Sequence, residues 1–416
     1  MKDKILVHIL TFLAIFLGLA SGYTEFAPFL SAAEIITEIF LKLFRLIAPP
    51  IIFFSLASSI SGMKSFEEIR TLGRRILFYT LSTTLCASTI SLILFLLIDP
   101  ANFALTSTMA PLAKTASGSY LFFLMQAIPD NLIKPFLENN ILAVAFLGGV
   151  TGLTSLQLKK ENKDSLHLLF SSFFSLILKA TETLVYAMPV AIWGFSVIFV
   201  QEIKQGEAEL GNLALYALCV LGSNIIQGFL VLPALLKWKK ISPLPVAKAM
   251  APALITAFFT KSSNAALPIA MQCAEEKLKI SPRVSKVSFP MCSVINMNGC
   301  ASFIFTTVLF VAVSNGITFS ITEMIGWIFL STLAAIGNAG VPMGCYFLSS
   351  AFLVGMGVPL NILGVILPLY GVFDMVETAL NVWSDSTIAV IIDKELELEE
   401  KDLYPGVDLD LEKVSA

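Results

Sequence analysis

Charge is scarce in this sequence. Only 14% of its 416 residues are Asp, Glu, Lys or Arg, against 56% that are hydrophobic. A water-soluble domain carries about a quarter charged residues to keep its surface wet. A soluble globular class is therefore excluded, and lipid is the solvent that suits such a surface. Histidine is scarcer still. His8 and His167 stand far apart, which excludes a histidine-built metal site. Six cysteines (Cys86, Cys219, Cys273, Cys292, Cys300, Cys345) lie scattered in or beside apolar runs, with no C-x-x-C pair. Neither a zinc site nor a disulfide framework is indicated. No basic cluster with interleaved aromatics is present, and a net charge of −3 offers nothing to nucleic acid. A convergent nucleophile and base are missing too, so no enzyme chemistry and no cofactor are expected.

What is abundant is apolar length. Runs long enough to cross a bilayer of about 30 Å centre on 5–22, 40–62, 76–98, 120–154 (broken), 166–200 and 211–236. Between Val246 and Ile392 the apolar character continues, interrupted by Gly, Pro, Asn, Ser and Asp. Only helices and closed barrels satisfy their backbone in lipid, and runs without a two-residue alternation predict helices. The first run is longer than a signal-peptide core and further spans follow it, so it reads as an uncleaved span.

Loop charges predict the orientation. Basic loops hold Lys2 and Lys4; Lys64, Arg70, Arg74 and Arg75; Lys159, Lys160 and Lys163; Lys237, Lys239 and Lys240; then Lys277, Lys279, Arg283 and Lys286. The loops between are acidic or nearly neutral: Glu25, Glu34 and Glu38; Asp99 with Lys114; Glu202, Glu207 and Glu209 with Lys204; then Glu323. This strict alternation predicts a cytoplasmic N-terminus. The acidic stretch 393–416 reads as a solvated cytoplasmic extension, helical at its start, with no function assigned.

Two strings resemble each other: Asn264-Ala-Ala-Leu-Pro268 and Asn338-Ala-Gly-Val-Pro342, 74 residues apart. Each sits inside an apolar stretch beside small residues (Ser262 and Ser263, or Gly337). Proline removes a backbone donor and small residues let a turn pack tightly, which predicts two helical hairpins dipping partway into the membrane. Irregular backbone at that depth must be buried in protein or line a cavity, and paired interruptions point to a transporter's binding site.

The segments after each hairpin sharpen this. Asn296-Met297-Asn298-Gly299 places two amides and a glycine within an apolar run. A break there exposes carbonyls that, with amide oxygens, are hard ligands suited to an alkali cation. After the second hairpin, Asp374, Thr378, Asn381 and Asp385 follow at intervals of 4, 3 and 4 residues, the period of one helix face. Glu377 lies at the edge of that stripe. An acid at mid-membrane costs at least ~2.5 kcal/mol and so marks a functional site. Lys261, bound cations and a substrate amine are the expected partners.

With these residues on view, the chain resembles the dicarboxylate/amino acid:cation symporter family. The motifs are Thr260-Lys-Ser-Ser-Asn-Ala-Ala-Leu-Pro268, Asn296-Met-Asn-Gly299, Gly337-Asn-Ala-Gly-Val-Pro342 and the Asp374–Asp385 helix. The resemblance covers nearly the whole chain. It implies an all-α integral membrane protein of eight spans and two re-entrant hairpins, with inverted repeats, assembled as a homotrimer and working as an elevator. Its parts would be scaffold helices 1–2 (1–74), transport-domain helix 3 (75–99), scaffold helices 4–5 (118–200), transport-domain helix 6 (210–240), hairpin 1 (245–277), broken helix 7 (283–313), hairpin 2 (323–357), helix 8 (360–392) and the tail (393–416). It implies a bacterial plasma membrane location with both termini cytoplasmic.

The resemblance also implies roles. Asp374 would bind a substrate's α-amino group, and Asn381 its α-carboxylate, helped by Ser263. Thr378 and Cys300 would line the same pocket, and hairpin 2, with Val341 and Cys345 near the substrate, would gate it. Asn296, Asn381 and Asp385 would hold one sodium ion. Tyr79, Ser82, Thr83, Asn296 and Asn298 match a second site. Backbone carbonyls of Ala335, Ile336, Asn338 and Met297 match a third.

Two departures from the family pattern matter. Where acidic-substrate members carry an arginine, this chain carries Glu377, and like charges across a desolvated pocket cost several kcal/mol. The string Glu377-Thr-Ala-Leu-Asn381 is similar to the serine/threonine sodium symporters, which predicts a small neutral amino acid such as serine, threonine or alanine. An acidic amino acid or dicarboxylate symporter, with Lys261 in place of the arginine, is the alternative; a cationic substrate, proton coupling and a passive channel are others. Second, Asn298 stands where multi-sodium members carry aspartate, which predicts coupling to fewer sodium ions.

Overall fold

Every regular element among the described residues is helical. The computed structural model describes residues 2–62, 72–101, 128–138, 140–205, 210–338 and 343–403. The Ala339–Pro342 part of the second repeat string lies outside them, as does the end of the acidic tail. In chain order the helices longer than a single turn are α1 (Lys2–Tyr23), α2 (Ala27–Ser61), α3 (Arg74–Ile98), α4 (Ile141–Ser155), α5 (Lys160–Tyr186), α6 (Met188–Gln205), α7 (Leu210–Trp238), α8 (Pro243–Thr260), α9 (Ser263–Lys277), α10 (Pro282–Ile295), α11 (Asn298–Ser314), α12 (Ile321–Gly337), α13 (Gly344–Gly355) and α14 (Asn361–Leu403). Five helical stretches among the described residues are long and apolar enough to cross a membrane: Arg74–Ile98, Leu210–Trp238, Pro243–Thr260, Pro282–Ser314 and Asn361–Glu399.

Local chemistry sets the helix ends. Asn140 accepts the Ala143 N–H at the start of α4. Ser281 caps α10, and Ser320 with Glu323 forms a reciprocal capping box on α12. Helices α8 and α9 are separated only by Lys261 and Ser262. Lys261 adopts φ +53°, and the Ser262 side chain accepts the Ala265 N–H. The reversal therefore falls several residues before Pro268. That proline sits inside α9, where it deprives the Asn264 carbonyl of its helical partner. Asn296 and Met297 are non-helical and interrupt what would otherwise be one rod of α10 and α11.

Packing sorts the helices into two groups. In one, α1 lies against α6, and α2 against α4, α5 and α6. In the other, α11 is central, touched by α3, α7, α12, α13 and α14, while α8, α9 and α10 pack on α14. Every residue of α11 from Asn298 to Val313 is buried. This explains a segment without a single charged residue, whose few polar side chains, Asn298, Ser302, Thr306 and Thr307, lie inside the protein. The outer helices instead expose large apolar side chains such as Phe16, Leu46, Leu168 and Phe229, a surface that lipid accommodates and water does not.

Candidate functional site

The polar residues of these apolar helices gather into one buried seam. A narrow cavity, of about 10 Å³, is lined by Lys261 and Ser263 from the α8–α9 turn, Met297 from the α10–α11 break, Asn338 and Cys345 from the ends of α12 and α13, and Asp374, Glu377, Thr378 and Asn381 from α14. That volume suits about one water molecule. Admission of anything larger requires the lining elements to separate.

The stripe on α14 faces this seam because α11 passes very close to it. A Cβ built on Gly299 would meet the Glu377 Cα at 2.7 Å and its Cβ at 2.9 Å. At this contact the Gly299 N–H donates to Asn381 Oδ1 (2.9 Å). Asn381 Nδ2 points to the Met297 sulfur at 3.4 Å, a weak acceptor. Thr378 Oγ1 donates back to the Asp374 carbonyl (2.6 Å), and the residue lines the cavity.

The acids are desolvated unequally in their partnerships. Asp374 is 7% exposed and lies within electrostatic reach of Lys261. Glu377 is 1% exposed, and among the described residues neither carboxylate oxygen has a hydrogen-bond partner. Its neighbours include the Cys345 thiol and Asp374. A buried carboxylate without a donor is costly, and a ligand supplying one would relieve it. Asn338 carries a similar deficit. Its Nδ2 donates to the Cys345 sulfur at 3.4 Å, but its Oδ1 is buried without a donor among the described residues.

Deeper along α14 lies a second polar cluster. Asn296 Nδ2 donates to Asp385 Oδ1 (2.8 Å). Asn296 Oδ1 accepts from Asn298 Nδ2 (2.9 Å), Ser384 Oγ (3.2 Å) and Thr83 Oγ1 (3.3 Å). Asn298 Nδ2 also donates to Ser384 (2.7 Å), and Asn298 Oδ1 accepts from Gln227 Nε2 (2.9 Å).

Most of the residues singled out from the sequence thus meet in two adjoining clusters. Cys300 is fully buried on α11, in contact with Cys345 and near Glu377 and Asp374. Ala335 and Ile336 occupy the last turn of α12, beside Asn338. Tyr79 and Ser82 stand apart. The Tyr79 hydroxyl donates to Glu395 at the far end of α14, and Ser82 is exposed. Val341 lies outside the described residues. Sequence reasoning missed Ser384 and Gln227. Ser384 was legible, three residues beyond Asn381 on the same face. Gln227 was legible too, as an amide stranded in the apolar run of α7.

The profile of the sodium:dicarboxylate symporter family matches residues 7–395. The chain is 25% identical to mouse excitatory amino acid transporter 3 over 427 residues, covering 89% of this chain and 81% of that one. It is 26% identical to bovine neutral amino acid transporter B(0) over 399 residues, covering 87% and 73%. To human neutral amino acid transporter A it is 25% identical over 401 residues, covering 85% and 74%.

Proposed function

The chain belongs to the sodium:dicarboxylate symporter family, and from that premise we propose that it imports a small neutral amino acid of the serine, threonine or alanine type, driven by sodium. Its relatives include transporters named for excitatory and for neutral amino acids at nearly equal identity, so the substrate must be argued from the site. The observation that carries the reading is Glu377, buried beside Asp374 with neither oxygen hydrogen-bonded among the described residues. A second anion brought into that pocket by an acidic side chain would meet like charge with little solvent to screen it. A neutral amino acid brings what the pocket lacks. Its ammonium answers Asp374 through a charge-assisted hydrogen bond, and a side-chain hydroxyl donates to Glu377. Its carboxylate replaces the Met297 sulfur as the acceptor for Asn381 Nδ2, with Ser263 nearby.

Asn296, Asn381 and Asp385 form the proposed principal sodium site, and the carbonyls of Ala335, Ile336, Asn338 and Met297 a further one. Thr378, Cys300, Cys345 and Val341 complete the proposed pocket and its gate. The architecture proposed around them has eight spans and two re-entrant hairpins, α8–α9 and α12–α13, in a homotrimer with an elevator cycle. It sits in the plasma membrane with both termini cytoplasmic. The close α8–α9 reversal and the α10–α11 interruption support this reading.

Uptake of labelled serine and labelled aspartate into proteoliposomes, with and without a sodium gradient, tests the proposal. Serine uptake that collapses with the gradient is expected, and robust aspartate transport would sink it. The rival acidic-substrate reading draws on Lys261, which lines the same cavity. Glu377→Arg discriminates further, since it should shift preference toward aspartate.

A further inference from the structure

The helix α7 is not regular. Its middle is a five-residue π-helical turn, Gln227–Val231. Such a turn swings one side chain out of the α-helical register and is often found where function needs it. Here the side chain is that of Gln227, which is fully buried. Its single NH₂ group donates twice: to the backbone carbonyl of Thr83 (3.0 Å) and to Asn298 Oδ1 (2.9 Å). Both N–H bonds are thereby spent on oxygens from two other helices, α3 and α11.

Those two oxygens belong to a compact cluster of oxygen atoms. Thr83 Oγ1, Ser384 Oγ and Asn298 Nδ2 converge on Asn296 Oδ1. Thr83, Asn296 and Asn298 are among the residues that the family resemblance implies as cation ligands. A hard cation needs several oxygen lone pairs turned inward together. In this protein the Thr83 carbonyl and Asn298 Oδ1 are already engaged by donors built into the chain. The node also lacks an acid at 298, and the carboxylate bonded to its hub, Asp385, is engaged by Asn296 Nδ2 (2.8 Å). An amide donor meets both oxygens without the desolvation penalty of bringing in an ion, although it leaves its own Oε1 buried without a partner among the described residues.

We infer that Gln227 is a built-in substitute for a cation at the Thr83–Asn298 node: its carboxamide bridges α3 to α11 where an ion would otherwise be needed to hold them. The inference rests on the sodium-coupled reading for its consequence in transport, namely one coupling ion fewer than a chain with an acid at this position. The tethering of α3 to α11 does not depend on that reading.

The test counts bound sodium directly. Purified protein in detergent is titrated with sodium chloride against choline chloride, and Tm is followed, because each ion bound to the folded state adds to the slope of stability against ln[Na⁺]. The double variant Gln227→Ala with Asn298→Asp should bind about one more sodium than the wild type by this slope, and its serine uptake should show a steeper sodium dependence. Gln227→Met alone keeps the bulk and removes the donors. It should lower Tm in choline and recover part of the loss in sodium, which a merely structural glutamine would not do. An unchanged ion count in a folded double variant, together with a sodium-blind Gln227→Met, overturns the inference. So does a wild type that loses one bound sodium on Asn298→Ala. Failure of the sodium-coupled reading looks different: wild-type uptake would ignore the sodium gradient while the binding counts kept their pattern.

Discussion

At the scale of single residues, the seam is a problem of unmatched polarity. Asp374, Glu377 and Asp385 are all at most 7% exposed on one helix, and each must find a donor or a cation to offset its lost hydration. Asp385 has Asn296, Asp374 has Lys261 within reach, and Glu377 has none among the described residues. The ranking predicts different outcomes for neutralising each acid. Asp374→Asn should reduce serine uptake by roughly 10²-fold or more, because truncating one partner of a buried charge pair costs 2–5 kcal/mol. Glu377→Gln should leave the protein at least as thermostable as the wild type, since it keeps the shape and removes a buried acid with no donor among the described residues. A thermal unfolding curve in detergent checks the second claim, and a Tm well below wild type would contradict it.

At the scale of elements, the seam exists because helices are interrupted where they meet. The α10–α11 break frees Asn296 and Met297 from the helical pattern, and Gly299 then lets α11 lie against the Glu377 turn of α14. A methyl group at Gly299 has no room, its Cβ falling 2.7 Å from backbone. Gly299→Ala is therefore predicted to cost about 1–3 kcal/mol through overpacking. It should also weaken the Gly299–Asn381 hydrogen bond that positions the pocket amide. A lowered Tm with a disproportionate loss of uptake is the expected pair of readouts. The ends of α12 and α13 meet as tightly, for a Cβ on Gly344 would fall 1.4 Å from Asn338 Oδ1.

At the scale of the whole molecule, α14 is both the floor of the seam and a strap across one end of its helix group. Beyond the apolar stretch, Asp393 accepts from the Ser281 N–H (3.0 Å) and hydroxyl (2.7 Å), tying α14 to the cap of α10. Glu395 accepts from Lys239 Nζ (2.7 Å) and from the Tyr79 hydroxyl, and Arg75 bridges Glu395 (3.6 Å) and Glu399 (2.6 Å). The basic loops that predicted the orientation are thus also anchors for the final helix. The hydrogen bond to Glu395, and then that to Tyr79, hold Lys239 above the usual lysine value. A raised folded value means that this stabilisation is complete below 10.5, the unfolded value, and fades as pH climbs through the folded one. Lys239→Met should accordingly lower Tm at neutral pH, and the gap to wild type should narrow only in strongly alkaline buffer.

What could be read from the order of residues was whatever depends on solvent and period. Too little charge for water meant lipid, and long runs in lipid meant helices. A stripe at helical spacing meant that Asp374, Thr378, Asn381 and Asp385 share a face. These are local statements, and each follows from one segment considered alone. The partners of that face were another matter. That Gln227 reaches Asn298 from a π turn, that Tyr79 bonds to Glu395 rather than to the polar cluster, and that Glu377 finds no donor among the described residues all depend on helices distant in sequence coming to specific depths. Spacing along a chain carries no information about how far one helix slides past another. Close packing at small residues such as Gly299 sets that offset, and with it which buried polar groups are satisfied and which await a ligand.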